Sequence, residues 1–213
     1  MKAKIFLADD HQILRDGLRL LLESHPDFTI IGEAEHGRAA LEAIRASLPD
    51  VVVLDIAMPE LNGIEVARRL SDELPEIKII ILSVYSDLEH IYRALQAGAQ
   101  GYVLKESAGS ELVDAVRAVL RGERVFSPKI DLSALETYLN ERPANPLELL
   151  SGREREVLQL TVEGHSSAVI AEKLGLSPKT VETYRSRLMT KLGVGDITEL
   201  VRFAIRHQLT NLD

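Results

Sequence analysis

Five polar residues, each placed directly after an apolar run or at its end, are of types that could do chemistry together. Asp9 and Asp10 follow the first run, Asp55 closes VVVLD, Ser83 follows IIIL and Lys105 follows GYVL. Three carboxylates within a few ångströms repel one another unless a cation lies among them. Mg²⁺ suits such a site, because it commonly pairs carboxylates with phosphate oxygens. A carboxylate beside Mg²⁺ and a lysine is a nucleophile toward phosphorus, so the set predicts an aspartyl phosphate.

Each of these residues has an ordinary structural interpretation when it is taken alone. A single aspartate after a strand is usually a turn former or a helix cap. A single lysine is normally a solvated side chain, and a single serine is normally a cap. What favours the chemical interpretation is that four separate strand ends each offer a group that phosphoryl chemistry needs.

The elements that must position these residues are short parallel strands joined by helices. The first 120 residues alternate apolar runs with helix-period segments, which is typical of crossover connections. VVVL and IIIL lack alternation, as central strands covered on both faces do. We predict a doubly wound (βα)5 parallel sheet, with its site at the carboxyl ends of the strands. The strands are expected at 4–8, 29–34, 51–54, 78–82 and 101–104, and the helices at 11–24, 37–47, 62–73, 86–97 and 108–121.

The rest of the chain divides into a linker and an all-α domain. Residues 122–146 contain three prolines and no long apolar period, which predicts a linker with one helical turn or more near 132–140. Beyond it, a Ser-x-x-Glu capping box opens the first of four helices, and a Ser-Pro pair starts the third. This layout is typical of a helix-turn-helix. The four helices are expected at 151–163, 167–174, 177–192 and 197–207, and the domains at 1–121, 122–146 and 147–213.

Charge is distributed unevenly between the two halves of the chain. The net charge of −8 would argue against a nucleic-acid partner, but residues 1–148 carry 16 Lys and Arg against 25 Asp and Glu, while residues 149–213 carry 9 against 8. Residues 177–192 contain four basic residues and one acid. Positive charge is therefore concentrated in one predicted helix. On charge alone, that helix could equally be a solvated surface.

A resemblance to a known family rests on four stretches of sequence. LADDH at 7–11, VVLDIAMPELNG at 52–63, LSVY at 82–85 and GYVLK at 101–105 resemble the receiver domains of two-component response regulators over about 120 residues. The resemblance implies that Asp55 is the phosphoacceptor and that Asp10 is a direct Mg²⁺ ligand. Asp9 would be a ligand or a water-mediated neighbour, and the backbone carbonyl of Ala57 would complete the protein ligands.

The same resemblance implies a switch beside the phosphoacceptor. Ser83 would hydrogen-bond the phosphoryl group, Lys105 would pair with it, and Tyr102 would turn inward when Ser83 moves. Two departures bear on this: Glu106 replaces the proline that often follows the lysine, and Val84 replaces a smaller residue. We expect these departures to slow phosphoryl transfer or hydrolysis without removing the site.

Residues 149–213 resemble the helix-turn-helix domain of the LuxR type, on LSGREREVLQL and IAEKLGLSPKTVETYRSRLMTKLGV. With the receiver, this resembles the NarL/FixJ class of response regulators. An apolar stripe of Val181, Leu188 and Leu192 is expected to pack inward. The resemblance implies that the other face enters the major groove, with Glu182, Thr183 and Ser186 toward bases, and with the remaining polar residues nearer the phosphates, namely Lys179, Thr180, Arg185, Arg187 and Lys191. The last helix would be the dimer contact.

Departures from the LuxR-type pattern concern Gly152, residues 167–169 and Tyr184. Gly152 stands where proline is common, and Tyr184 where histidine is frequent. Residues 167–169 replace a more polar stretch and remove a phosphate-binding lysine. We expect a DNA affinity below the usual value for the family.

These observations predict a cytoplasmic, DNA-binding transcription regulator without enzymatic turnover. Its partners would be a sensor histidine kinase and promoter DNA, it would be a homodimer when active, and it would have no membrane partner. The chain contains no cysteine, which excludes disulfides and thiolate zinc sites. Two alternatives stay open. One is a Mg²⁺-dependent phosphohydrolase, although those enzymes have Asp-x-Asp after the first strand; the other is a DNA-binding protein whose receiver serves only dimerisation.

Overall fold

The structure, a computed structural model, describes residues 2–141, 146–207 and 209. The chain forms two compact units, Met1–Arg142 and Pro143–Asp213. Each unit has its own hydrophobic core. Among the described helices, none is long and apolar enough to cross a membrane.

The first unit contains a parallel sheet in the order β2-β1-β3-β4-β5-β6. The strands are β1 Ala3–Ala8, β2 Phe28–Ala34, β3 Val51–Asp55, β4 Lys78–Ser83, β5 Gly101–Leu104 and β6 Val125–Phe126. The helices are α1 Gln12–Glu23, α2 Gly37–Ser47, α3 Gly63–Glu73, α4 Leu88–Gln96, α5 Ala108–Leu120 and α6 Leu132–Glu141. A 3₁₀ turn at Lys105–Ser107 joins β5 to α5. The predicted doubly wound sheet is confirmed, with a sixth short strand added at its edge.

Apolar residues on both faces explain why the central strands are unbroken hydrophobic runs. All five residues of β3 are buried. Side chains such as Val52 and Ile81 belong to the core beneath α2, α3 and α4, whereas Val53 and Ile80 belong to the core beneath α1 and α5. The pairing of β1 with β3 and of β3 with β4 brings the carboxyl ends of these three strands together at one edge.

The range 122–146, which the sequence predicts as a linker, contains one strand and one helix of the first unit. Val125 and Phe126 of β6 pair with Gly101 and Tyr102 of β5. In the following segment, Leu135 of α6 is buried in the core on the α4 side of the sheet. The helical turns expected near 132–140 are α6.

The second unit is entirely helical in its described part. It consists of a 3₁₀ turn at Pro146–Leu149 and the helices α7 Gly152–Val162, α8 Ser167–Leu174, α9 Pro178–Leu192 and α10 Ile197–Arg206. The predicted capping box is confirmed, because Ser151 and Glu154 bond each other's backbone at the start of α7. Ser177 caps α9 and Pro178 occupies its first turn. Gly175, at φ 64°, ends α8 in the left-handed conformation that glycine adopts without strain.

Candidate functional site

Three strand ends in the first unit bring Asp9, Asp55 and Lys105 into direct contact. Nζ of Lys105 lies 2.9 Å from Oδ2 of Asp9 and 2.8 Å from Oδ2 of Asp55. Both aspartates are 2% exposed. The juxtaposition predicted from the sequence is therefore present: a lysine neutralises part of the charge of two buried carboxylates.

The electrostatic balance at Asp55 sets its charge near neutral pH. Burial and, to a smaller extent, the carboxylate of Asp9 raise the pKa of Asp55, while Lys105 and the backbone N–H of Ala57 oppose the shift, and the net result is a pKa of about 6. Burial by itself would lower the pKa of Lys105, but Asp55 and Asp9 outweigh it and raise that pKa. At pH 7 Asp55 is thus mostly ionised, as a nucleophile must be.

A divalent cation fits the residues beside Asp55. Ligand atoms of Asp9, Asp10, His11 and Asp55 all lie within 4.8 Å of one another. A set dominated by carboxylate oxygens, at the mouth of a buried cluster, matches the preference of Mg²⁺. The backbone N–H of Ala57 donates a hydrogen bond to the Asp55 carboxylate. The resemblance to receiver domains assigns a different atom of Ala57, its backbone carbonyl oxygen, to the metal.

His11 is a member of this cluster that the sequence analysis did not single out. Its Nδ1 lies 2.7 Å from Oδ1 of Asp10, 3.2 Å from Oδ1 of Asp9 and 3.5 Å from Nζ of Lys105. The signal in the sequence was its position directly after the Asp-Asp pair. His11 therefore adds a nitrogen donor at the exposed side of the acidic cluster.

The loop after Asp55 depends on a close backbone approach at Gly63. A Cβ at this position would lie 1.9 Å from the carbonyl oxygen of Asp55. The N–H of Gly63 donates to the carbonyl oxygen of Ile56 at 3.0 Å. The glycine thus allows the first turn of α3 to pack directly against the backbone of Asp55.

Ser83 and Tyr102 are both fully buried. Oγ of Ser83 accepts from the N–H of Tyr85 at 3.0 Å, and the hydroxyl of Tyr102 donates to the carbonyl of Tyr85 at 2.8 Å. Burial raises the pKa of Tyr102, against an opposing effect of Ser83. Tyr102 is therefore turned inward, as the resemblance to receiver domains implies for one state of the expected switch.

Val84 and Glu106, the two departures from the receiver pattern, lie in the following surroundings. The side chain of Val84 points to solvent, at 67% exposure. The peptide bond between Lys105 and Glu106 is trans, and the carboxylate of Glu106 pairs with Lys129 at 2.8 Å.

The helix α9 in the second unit separates an apolar face from a polar one. Val181 and Leu188 are fully buried and Leu192 is half-buried, so the expected inward stripe is present. Of the residues predicted to face DNA, Thr180 and Arg185 are half-buried and the others are exposed, namely Lys179, Glu182, Thr183, Ser186, Arg187 and Lys191. The three residues predicted to face bases thus all lie on the exposed face.

Two of the predicted DNA-facing residues are held by residues of other helices. Nζ of Lys191 lies 2.6 Å from Oε2 of Glu154 in the capping box of α7. Burial acts to raise the pKa of Glu154, but bonds from Lys191 and Ser151 outweigh it and lower that pKa. Ser167, the first residue of α8, donates a hydrogen bond from its hydroxyl to the carboxylate of Glu182 in α9. Ser167, noted only as a departure in sequence, therefore orients a predicted base-facing side chain.

Comparison with known proteins gives the same two-part organisation. Residues 5–117 match the response regulator receiver domain and residues 148–204 match the bacterial regulatory proteins of the luxR family. The chain is 41% identical to a putative transcriptional regulator of Pseudomonas aeruginosa, covering 97% of this chain and 99% of that one. It is 34% identical to the transcriptional regulatory protein DegU of Brevibacillus brevis, covering 97% and 94%.

A solved structure extends the comparison to three dimensions. It contains two RcsB dimers bound to two parallel DNAs, and its chain is 28% identical with a TM-score of 0.61, over 96% of this chain and 98% of that one. The receiver sheet, the buried acidic cluster and the helix-turn-helix unit agree with these matches. The chain belongs to the response regulators of the NarL/FixJ class, with a receiver domain followed by a LuxR-type helix-turn-helix domain.

Proposed function

We propose that this chain regulates transcription and is switched by phosphorylation of Asp55. The observation that carries the proposal is the contact of one lysine with two buried carboxylates at the carboxyl edge of the sheet. Asp55 is the member of that cluster at the end of a central strand, with Lys105 placed to stabilise negative charge beside it. A sensor histidine kinase is the phosphoryl donor in this proposal.

In the proposed step, an Oδ atom of Asp55 forms a bond to phosphorus while the bond from phosphorus to the donor's histidine nitrogen breaks. Lys105 transfers its ion pair to the incoming phosphoryl oxygens, and Ser83 donates its hydroxyl hydrogen to one of them. Asp9, Asp10 and Asp55 would hold Mg²⁺, with the carbonyl of Ala57. The metal, when bound, offsets the negative charge that the phosphoryl group adds.

In the second unit, α9 is the proposed reading helix. Its exposed residues Thr183 and Ser186 are short polar side chains of the kind that reach base edges in the major groove. Arg187 is exposed beside them and suits a phosphate contact. Promoter DNA is the proposed partner, which places the role in the cytoplasm. The protein would bind DNA as a homodimer, with α10 as its dimer contact. The related RcsB is bound to DNA as dimers.

Incubation with acetyl phosphate and Mg²⁺ tests the phosphoacceptor. The wild-type chain should gain one phosphoryl group by intact-mass measurement, and Asp55→Asn should gain none. Asp114→Asn is the matched control, because the side chain of Asp114 is 85% exposed, and it should label like wild type. Equal labelling of Asp55→Asn would refute the assignment, and sustained turnover of a small phosphomonoester would favour the phosphohydrolase alternative.

A further inference from the structure

A buried histidine stands at the start of α4, next to the proposed switch. His90 is 3% exposed, and its Nδ1 lies 2.8 Å from both carboxylate oxygens of Asp87. Its ring stacks on that of Tyr85, with centroids 4.5 Å apart and planes at 25°. Two independent contacts therefore fix this imidazole, one polar and one aromatic.

The hydrogen bonding of His90 indicates its tautomer. Among the described residues, no hydrogen-bond partner reaches its buried Nε2. A buried N–H on Nε2 without an acceptor would destabilise the fold more than a lone pair there without a donor. Nδ1, in contrast, lies beside the Asp87 carboxylate, to which it can donate a hydrogen. Nδ1 therefore carries a hydrogen that it donates to Asp87.

Tyr85 connects this histidine to the switch residues. Its backbone N–H donates to Ser83 and its carbonyl accepts from Tyr102, at 3.0 and 2.8 Å. Burial raises the pKa of the Tyr85 phenol, and the charges of Asp55 and Asp87 raise it further. The Tyr85 ring packs on His90 in the first turn of α4, so holding this ring also holds the peptide groups that Ser83 and Tyr102 bond.

We propose that His90 is a positioning residue of the switch. Oriented by Asp87, it clamps the ring of Tyr85 and thereby keeps the hydroxyls of Ser83 and Tyr102 on the Tyr85 backbone. These three residues, Asp87, His90 and Tyr85, form the clamp. The inference rests on the proposed function, because Ser83 and Tyr102 are the switch only if Asp55 is phosphorylated.

Two substitutions separate clamping from simple space filling. His90→Phe keeps an aromatic ring on Tyr85 but loses the bond to Asp87. Asp87→Ser removes the carboxylate while retaining a hydroxyl that can cap α4, whose N-cap is Asp87. Tyr92→Phe is the matched control, because Tyr92 is a buried aromatic residue of the same helix that contacts Tyr138.

Fluorine NMR on the full chain labelled with 3-fluorotyrosine measures the position of Tyr102. The chain contains 5 tyrosines, so the Tyr102 resonance is assigned by its loss in Tyr102→Phe. In wild type it should show almost no shift between H₂O and D₂O, since the ring is buried. In His90→Phe and in Asp87→Ser it should move and gain a solvent isotope shift toward the unfolded value, whereas Tyr92→Phe should leave it in place.

Histidine nitrogen spectra supply a second signature. Wild type should show the Nδ1–H tautomer of His90, and Asp87→Ser should lose it. An unchanged Tyr102 resonance in both clamp variants would overturn the inference, and if His90→Phe does not fold, Asp87→Ser decides alone. Acetyl phosphate labelling of wild type and of Tyr92→Phe is measured in parallel. Failure of that labelling would count against the proposed function, whereas unchanged fluorine spectra with normal labelling would count against the clamp.

Discussion

At the scale of single residues, the acidic cluster is electrostatically strained in a way that the proposed chemistry uses. Asp9 and Asp55 are both buried and share one lysine. Burial and the Asp9 charge raise the pKa of Asp55 to about 6. A divalent cation bound there would relieve this repulsion. The ionised carboxylate is also the form that would act as the nucleophile in the proposed step.

This shift predicts a pH dependence of folding in the metal-free chain. The folded pKa of Asp55, about 6, exceeds the unfolded value of 3.8, so the unfolded state loses this proton first as pH rises. The free energy of unfolding should fall between about pH 4 and 6 and then stay level. Asp55→Asn, which cannot ionise, should be more stable than wild type at pH 7 by about 2 to 3 kcal/mol.

Urea unfolding with a chelator present, from pH 4 to pH 8, measures this. Asp114→Asn, at an exposed position, should follow the wild-type curve. If wild type and Asp55→Asn are equally stable at pH 7, then the ionised carboxylate of Asp55 does not destabilise the folded chain and the prediction is wrong.

At the scale of elements, α6 belongs to the first unit by packing, although its sequence resembles that of a linker. Leu135 is 3% exposed in the core, and Tyr138 meets Tyr92 of α4 edge to face at a centroid distance of 6.1 Å. The helix α4 also carries the clamp residue His90, two positions before Tyr92. The same helix therefore contacts both Tyr85 and α6.

Truncation of Leu135 tests this packing. Leu135→Ala should lower the free energy of unfolding of the first unit by about 2 to 3 kcal/mol, because it leaves a cavity in the core. Leu132→Ala makes the same change on the same helix at a side that is 50% exposed, and it should cost less than about 0.5 kcal/mol. Equal effects in urea unfolding would mean that α6 does not pack as described.

The helix α9 offers a second test at this scale. Arg187→Ala should weaken binding to all DNA sequences and reduce the slope of log K against log salt by about one unit, as a lost phosphate contact does. Thr183→Ala should instead change which base is preferred at one position. Arg124→Ala, an exposed arginine of the first unit, is the control. If the two α9 variants behave alike on a panel of operator sequences, then the assignment of Arg187 to a phosphate contact and of Thr183 to a base contact is wrong.

At the scale of the whole molecule, the excess of acidic residues lies in the first of two units that have separate cores. Residues 1–148 have 16 basic and 25 acidic residues, a net charge of 16 − 25 = −9, and residues 149–213 have 9 and 8, a net charge of +1. In the proposed resting state, the acidic receiver would lower the affinity of the attached DNA-binding domain for DNA phosphates. A change in the receiver would then be needed for tight DNA binding. Phosphorylation of Asp55 is the proposed change.

The fragment from residue 146 to the C-terminus should therefore bind operator DNA without any phosphoryl donor. Its own core, which includes Val157, Ile170 and Leu188, supports independent folding. The full chain should bind about 5- to 150-fold more tightly when phosphorylated, the usual range of such coupling. Titrations of both proteins at one salt concentration measure this. An unphosphorylated full chain that binds as tightly as the phosphorylated one would mean that the receiver is not the switch.

Much of the fold and of the acidic cluster could be predicted because the signals are local. Runs such as VVVL report burial on both faces, and parallel strands place their carboxyl ends at one edge. Asp9, Asp55 and Lys105 therefore had to meet once the strands were identified. The caps at Ser151 and Ser177 are likewise read from spacing within one turn.

Only the tertiary structure determined the contacts that join residues far apart in the chain. Two residues of β6 are too few to show a period, so burial against β5 decides that they form a strand. Lys191 pairs with Glu154 across 37 positions, and its spacing in α9 predicts only an exposed cation. The surroundings of His11 and His90 are likewise set by tertiary packing. The charge, tautomer and partners of a polar side chain depend on which distant groups share its burial, and no local pattern carries that information.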